Sequence, residues 1–147
     1  MGDFVLFGKF EHNLDDKSRL TIPSKLRNKL GELVYVTRSI DGLCLEIRTP
    51  ENFKEWYNEL KAQSALSSTT RTVVRTIFSN TDEIAIDGSG RIKLPTNLLE
   101  EVGISKTVQI TGAGEWVEIW DKDKHQIYSI DAKSQLVEAA EKLGGVN

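Results

Sequence analysis

The strongest constraint on how this chain folds is that it repeats itself. LDDKSRLTIP at residue 14 and IDGSGRIKLP at residue 86 share one order of residue types: Asp, three residues, Arg, an apolar-polar-apolar triplet, then Pro. Sliding the sequence over itself by 72 positions, with no gap, extends the match from residues 15–47 to residues 87–119. It aligns Asp15 with Asp87, Arg19 with Arg91, Pro23 with Pro95, Leu26 with Leu98 and Gly31 with Gly103. It also aligns Val36 with Val108, Gly42 with Gly114, Glu46 with Glu118 and Ile47 with Ile119. Identities on turn, cap and core types point to an internal duplication, so one supersecondary unit is used twice.

Each copy reads as β-β-α-β-β. FEHNLDDKSRLTI and AIDGSGRIKL place alternating residues around a turn-like centre, giving a hairpin or a strand-loop-strand. Pro23 and Pro95 suit the start of a short helix, and Gly31 and Gly103 suit its end. VYVTR with LCLEI, and TVQIT with WVEIW, then form closing hairpins around the turns IDG and GAG. A unit of under about fifty residues has too little core to stand alone, so each must pack against the other. The expected fold is α+β and mainly β: two such tandem repeats packed in one pseudo-symmetric, two-lobed body whose strands interleave. The repeats span residues 1–49 and 81–120, with a helical connection over 50–80 and helices over 121–147.

The connection begins with Thr49 capping a helix at Pro50, whose Phe53, Trp56, Tyr57 and Leu60 have the spacing of a core-facing stripe. SALSSTT breaks the pattern, and RTVVRTIF is a second helix. Asp121 caps a helix through His125, Ile127 and Tyr128, and DAKSQLVEAAEKL is a terminal helix stopped by Gly144-Gly145. At least one of these helices is expected to pack on a neighbouring subunit.

Composition excludes several classes. Hydrophobic residues at 39% and charged residues at 28%, with three prolines, describe an ordered chain. No apolar run reaches the length of a membrane span, and MGDFVLFGKF is neither a leader nor, with Leu6, a myristoylation signal, so a cytoplasmic location is expected. Cys44 in LCLEI reads as a buried inert thiol, and His12 and His125 lack companions for a metal site. A net charge of −3 excludes binding of nucleic acid through bulk charge, so any contact must be local. Residues 1–30 hold six basic and four acidic side chains, whereas residues 81–120 hold three basic and seven acidic. The positive charge therefore gathers around the first copy.

The two D-x-x-x-R motifs, the duplicated unit and the helical connection together resemble the MraZ family over nearly the whole length. Its units resemble the swapped-hairpin DNA-binding fold of AbrB and of the MazE antitoxin, here fused in one chain, which implies two swapped-hairpin repeats interleaved in a double-psi, barrel-like body. The resemblance implies a non-enzymatic transcriptional regulator that binds short direct repeats upstream of its own division and cell-wall operon. It further implies a ring-shaped homo-oligomer, associated with the nucleoid, that displays its D-x-x-x-R loops to double-stranded DNA. No cofactor and no small-molecule substrate is implied. The motif carries over to Asp15 and Arg19, and to Asp87 and Arg91. One departure is Ser18, where the family has glycine before the arginine.

Arg19 suits guanine edges or phosphate through its planar fork, and its alternative is an ion pair with Asp15 across the turn. Arg91 is the weaker candidate, because its repeat is acidic. Lys17, Lys25 and Arg27 would neutralise phosphates, with Lys9 and His12 on the entering strand as further candidates. Asp15 and Asp87 shape the loops. One rival is an antitoxin-like protein-binding module using the amphipathic QLVEAAEKL, and a hydrolase built on Ser18 or Cys44 has no supporting motif.

Overall fold

The computed structural model describes residues 5–63 and 66–144. Met1 and Gly2, Ser64 and Ala65 of the expected break, and Gly145 of the expected terminal stop lie outside them. The first copy comprises β1 (Lys9–Asn13), β2 (Arg19–Thr21), α1 (Ser24–Leu30), β3 (Leu33–Arg38) and β4 (Leu45–Arg48). Helices α2 (Pro50–Ala62) and α3 (Ser68–Phe78) connect it to the second copy. That copy comprises β5 (Asp82–Ala85), β6 (Arg91–Lys93), α4 (Thr96–Glu101), β7 (Thr107–Gly112) and β8 (Val117–Asp121), and α5 (Lys122–Lys142) follows.

The duplicated β-β-α-β-β unit is thus present, and its strands interleave. An antiparallel sheet has the order β1-β7-β8-β4-β3-β5, and a separate ribbon pairs β2 with β6. Exchanging the copies reproduces both orders. β1 and β2 do not pair with each other: β1 pairs with β7 and β2 with β6, so the stretch is a strand-loop-strand given wholly to the other copy. The six-stranded sheet stays open, with β1 and β5 at its edges, rather than closing into a hydrogen-bonded barrel. Each D-x-x-x-R loop turns the chain out of the sheet and delivers its second strand to the ribbon.

Alternation sorts the two faces. Leu20 and Ile92 from the ribbon meet Leu45, Ile47, Val117 and Ile119 from the central strands in one core, and none of these is more than 1% exposed. Each such side chain contributes about 1.5–3 kcal/mol by leaving water. Both copies supply this core, which is why neither is complete alone. Glu46, Arg48, Glu118 and Trp120 alternate to the opposite, outer face of the sheet, where α2 and α5 pack.

The register corrects the ungapped repeat. Val36 lies opposite Ile47 and Ile110 lies opposite Ile119, so Val36 corresponds to Ile110, not to Val108. Counted from Gly31 and Gly103 to Val36 and Ile110, the second copy has two more residues, and it has two fewer in the hairpin turn. These changes cancel, which let the uniform offset survive at both ends.

Thr49 caps α2 as expected, its Oγ1 accepting the Asn52 N–H at 3.1 Å. The aromatic stripe of α2 does not reach the main core, because that face of the sheet is already filled by the ribbon. Phe53 stacks on Tyr35 at 4.5 Å and meets Phe78 at 5.1 Å, in a satellite cluster on the outer face. The two C-terminal helices expected are one helix, α5, since nothing between Tyr128 and Asp131 breaks it. Trp120 holds its first turns against His125 and Tyr128, whereas Ile127, Ile130, Leu136 and Val137 remain exposed. Cys44 is buried at the start of β4, and burial pushes its thiol well above the ordinary range.

Candidate nucleic-acid interface

The two D-x-x-x-R loops are built by the same bonds. Asp15 Oδ1 accepts the backbone N–H groups of Lys17 at 2.9 Å and Arg19 at 2.8 Å, while Oδ2 accepts Arg19 Nε–H at 2.7 Å. Asp87 Oδ1 accepts the N–H groups of Ser89 and Arg91, both at 2.9 Å, and Oδ2 accepts Arg91 Nε–H at 3.1 Å. The backbone closes both loops alike: Asp15 N–H donates to Arg19 O at 3.0 Å, and Asp87 N–H to Arg91 O at 2.9 Å. Aspartate four residues before the start of the strand suits this role, since its short side chain folds back onto the next N–H groups.

Ser18 keeps the loop geometry of a glycine. Its φ is 59°, against 79° at Gly90, the matching position. It is the single non-glycine residue of positive φ among those described.

These bonds also set the loops' electrostatics. The Arg19 N–H, followed by its side chain, lowers the Asp15 carboxyl to about 2. The Arg91 N–H lowers Asp87 in the same way. Both carboxylates are therefore fully ionised at neutral pH, and each fixes its arginine through Nε alone. The Nη1 and Nη2 groups of both arginines have no partner among the described residues. Ion pair and outward contact are thus compatible, because the guanidinium uses one of its five N–H groups for the loop.

The ribbon brings the loops together. Its register sets Arg19 opposite Lys93, Leu20 opposite Ile92 and Thr21 opposite Arg91. Leu20 and Ile92 point to the core, so Arg19, Thr21, Arg91 and Lys93 share the other face. The two arginines sit at opposite ends of this face, with similar side-chain exposures of 31% and 33%. Lys93 and Thr21 were not singled out from the sequence. The alternation Arg-x-Lys was visible, but only the pairing of β2 with β6 places Lys93 beside Arg19.

The remaining candidates divide. Lys17 is exposed within the first loop, where the second copy has Ser89, and Lys25 is exposed at the start of α1, just after Ile22, whose N–H donates to Gly90 O of the second loop. Arg27 lies half-buried in the seam, donating to Ile22 O at 3.3 Å and covering Gly90. His12 shares a strand face with Phe10, which packs on the core. Lys9 lies on the other face near α5, where it shares a recess with Lys122 and His125, away from the ribbon. Acidic residues of the second copy are engaged elsewhere: Glu83 accepts from the Tyr35 hydroxyl, and Glu118 accepts from the indoles of Trp116 and Trp120. Charge counted along the chain is therefore not charge counted over the surface.

Among the described residues, one cluster of a thiol and two carboxylates lies on the outer face. Cys44, Glu46 and Glu118 lie close together, but Glu118 is taken by two indoles and Glu46 by Arg48 at 2.7 Å. The thiol is held protonated by burial. No helix among the described residues is long and apolar enough to cross a membrane.

A family model described as "MraZ protein, putative antitoxin-like" matches this chain twice, at residues 5–76 and 77–145. The two matches divide the chain in the last turn of α3, ahead of β5, in agreement with the duplication. Among curated relatives, "Transcriptional regulator MraZ" of Mesoplasma florum is 46% identical over 140 residues, covering 95% of each chain. The protein of that name from Mycoplasma mycoides subsp. mycoides is 45% identical over 121 residues, 82% of this chain and 90% of the relative. That of Heliobacterium modesticaldum is 37% identical over 139 residues, 95% of this chain and 96% of the relative. Two family matches that fall on the two structural repeats, and relatives matched nearly end to end, establish that this chain belongs to the MraZ family.

Proposed function

We propose that this protein is a sequence-specific DNA-binding transcriptional regulator, without enzymatic activity, that binds short direct repeats in a promoter, that of its own division and cell-wall operon. The observation that carries the reading is the ribbon face. Two arginines, each steered by an aspartate of its own loop, stand at the ends of one short antiparallel ribbon with free Nη groups. A two-stranded ribbon fits the major groove, where a free guanidinium fork suits guanine O6 and N7. Lys93 opposite Arg19, Lys17 within the first loop and Lys25 at the start of α1 supply phosphate contacts that set register. The names of the relatives support regulation of transcription.

The first loop is the stronger contact, because Lys17 lies within it and Lys93 lies opposite Arg19, where the second loop has Ser89 and Thr21. So few cations on a chain of net charge −3 give weak, salt-sensitive binding by one copy. A ring-shaped homo-oligomer engaging evenly spaced repeats raises total avidity by about 10²–10⁴, since later contacts become intramolecular. The exposed apolar residues of α5 suit such an assembly. The protein then acts in the cytoplasm on the nucleoid.

Footprinting on the DNA upstream of its own gene, beside the native mass, tests this reading. Periodic protection by a multi-subunit species is expected. No protection, or a single repeat bound as tightly as a tandem array at physiological salt, contradicts it.

A further inference from the structure

Two surfaces lie on different sides of the α2–α3 pair, and their chemistry is complementary. The first is a cleft of about 410 Å³ between α2 and the β3–β4 and β7–β8 turns, rimmed by Asp41, Glu59 and Glu115. On its floor, Arg48 is 4% exposed, bonded to Glu46 and held 4.0 Å from Trp56 and 4.7 Å from Trp116. The one basic side chain of the cleft is therefore already neutralised and covered. Asn52 Oδ1 is buried there with no donor, and Ile40 stands exposed at the rim. The cleft is thus acidic, holds an acceptor that lacks a donor, and offers apolar surface beside it.

The second surface is the groove between α2 and α3. Lys61, Arg71 and Arg75 line it together with Tyr57 and Val74, and no acidic residue does. Leu66, at its margin, is 88% exposed and accepts from Arg71 through its carbonyl. Residues 52, 56 and 59 of α2 face the cleft, whereas residues 57 and 61 face the groove, so one chain cannot satisfy one surface with the other.

We infer that the basic α2–α3 groove of one copy of this chain docks against the acidic cleft of the next, with Arg71 and Arg75 entering beside Glu59 and Glu115. Guanidinium groups pair with the rim carboxylates in a partly desolvated setting. Ile40 then meets the apolar margin around Tyr57 and Leu66. Because the two surfaces differ, the contact is head-to-tail, and such contacts close into rings when the rotation per subunit permits. The inference rests on the ring assembly proposed above and specifies the surfaces that make it.

Native mass by light scattering tests it on the full chain. Wild type is expected as a multi-subunit species, and both R71E/R75E and E59R/E115R are expected to fall to the mass of one chain, 16.5 kDa. Mixing the two variants is expected to restore the large species, since a native groove meets a native cleft and a reversed groove meets a reversed cleft. That recovery also shows that each variant is folded. Wild-type mass retained by both variants, or a mixture that stays at one chain, overturns the pairing while leaving assembly itself intact. Wild type at 16.5 kDa overturns ring and pairing together, and leaves the footprint to decide DNA binding.

Discussion

Ser18 and Gly90 occupy one position in two copies of the same loop: Ser18 O accepts the Leu94 N–H and Gly90 O accepts the Ile22 N–H, each at 2.9 Å. These two bonds extend the β2–β6 ribbon at both ends and lock each loop to the other copy. The loops therefore cannot move independently. A recognition surface made this way is pre-organised, which limits the ordering entropy lost on binding.

Backbone strain at this position is asymmetric. A non-glycine residue in the left-handed region costs about 1–2 kcal/mol, so Ser18→Gly is expected to change stability by under about 1 kcal/mol once the added freedom of the unfolded chain is subtracted. Gly90→Ala places a Cβ 1.7 Å from Arg27 Nη1 at a φ of 79°, and is expected to destabilise by about 1–2 kcal/mol. Thermal unfolding of both variants checks this, and Arg27→Ala should recover only the steric part of the Gly90→Ala loss.

The acid limb of stability should carry the mark of the two aspartates. The Asp15 carboxyl is lowered from 3.8 to about 2, and Asp87 is lowered too. A depressed carboxylate contributes stability that is present above its unfolded value and lost as pH falls through its folded value. Asp15→Asn is therefore expected to cost stability at neutral pH, with the difference from wild type closing between about pH 4 and pH 2. Denaturant unfolding across that range measures it, and a constant difference would contradict the assignment.

Arg48 and Glu46 form an ion pair on the outer face, with side chains 5% and 11% exposed. Burial raises the Glu46 carboxyl, and Arg48 opposes that rise. Arg48→Leu leaves the carboxylate without its partner and removes the side chain between Trp56 and Trp116, so a loss of about 3–5 kcal/mol is expected. E46Q in the same chain should recover much of it. Chemical denaturation of the single and double variants checks this, and equal losses would show that packing, not the orphaned charge, dominates.

How much of this was legible in the sequence follows from which interactions are local. Asp15, Arg19, Asp87 and Arg91 were found because the loop is closed within five residues, and the cap at Thr49 for the same reason. Pairing of β2 with β6 joins residues some seventy positions apart, so neither the place of Lys93 nor the face shared by the two arginines was readable from either copy. Charge summed along the second repeat counted Glu83 and Glu118, which fold away from the ribbon onto Tyr35 and the tryptophans. Val36 was matched to Val108 because two length changes cancel between the fixed points Gly31 and Glu46. The stripe on α2 had the spacing of a core face, yet the period cannot say which side of the sheet a helix covers.

The central claim is that the ribbon face binds DNA through Arg19 and Arg91. Titration of a duplex carrying the tandem promoter repeats with wild type, R19E, R91E and the double variant tests it most directly, at one stated salt concentration. Losing a bidentate base contact costs about 1–3 kcal/mol per site, roughly 5- to 150-fold. The account expects losses of at least this size, larger for R19E than for R91E, and no detectable binding by the double variant at unchanged native mass. Wild-type affinity in the double variant would contradict it.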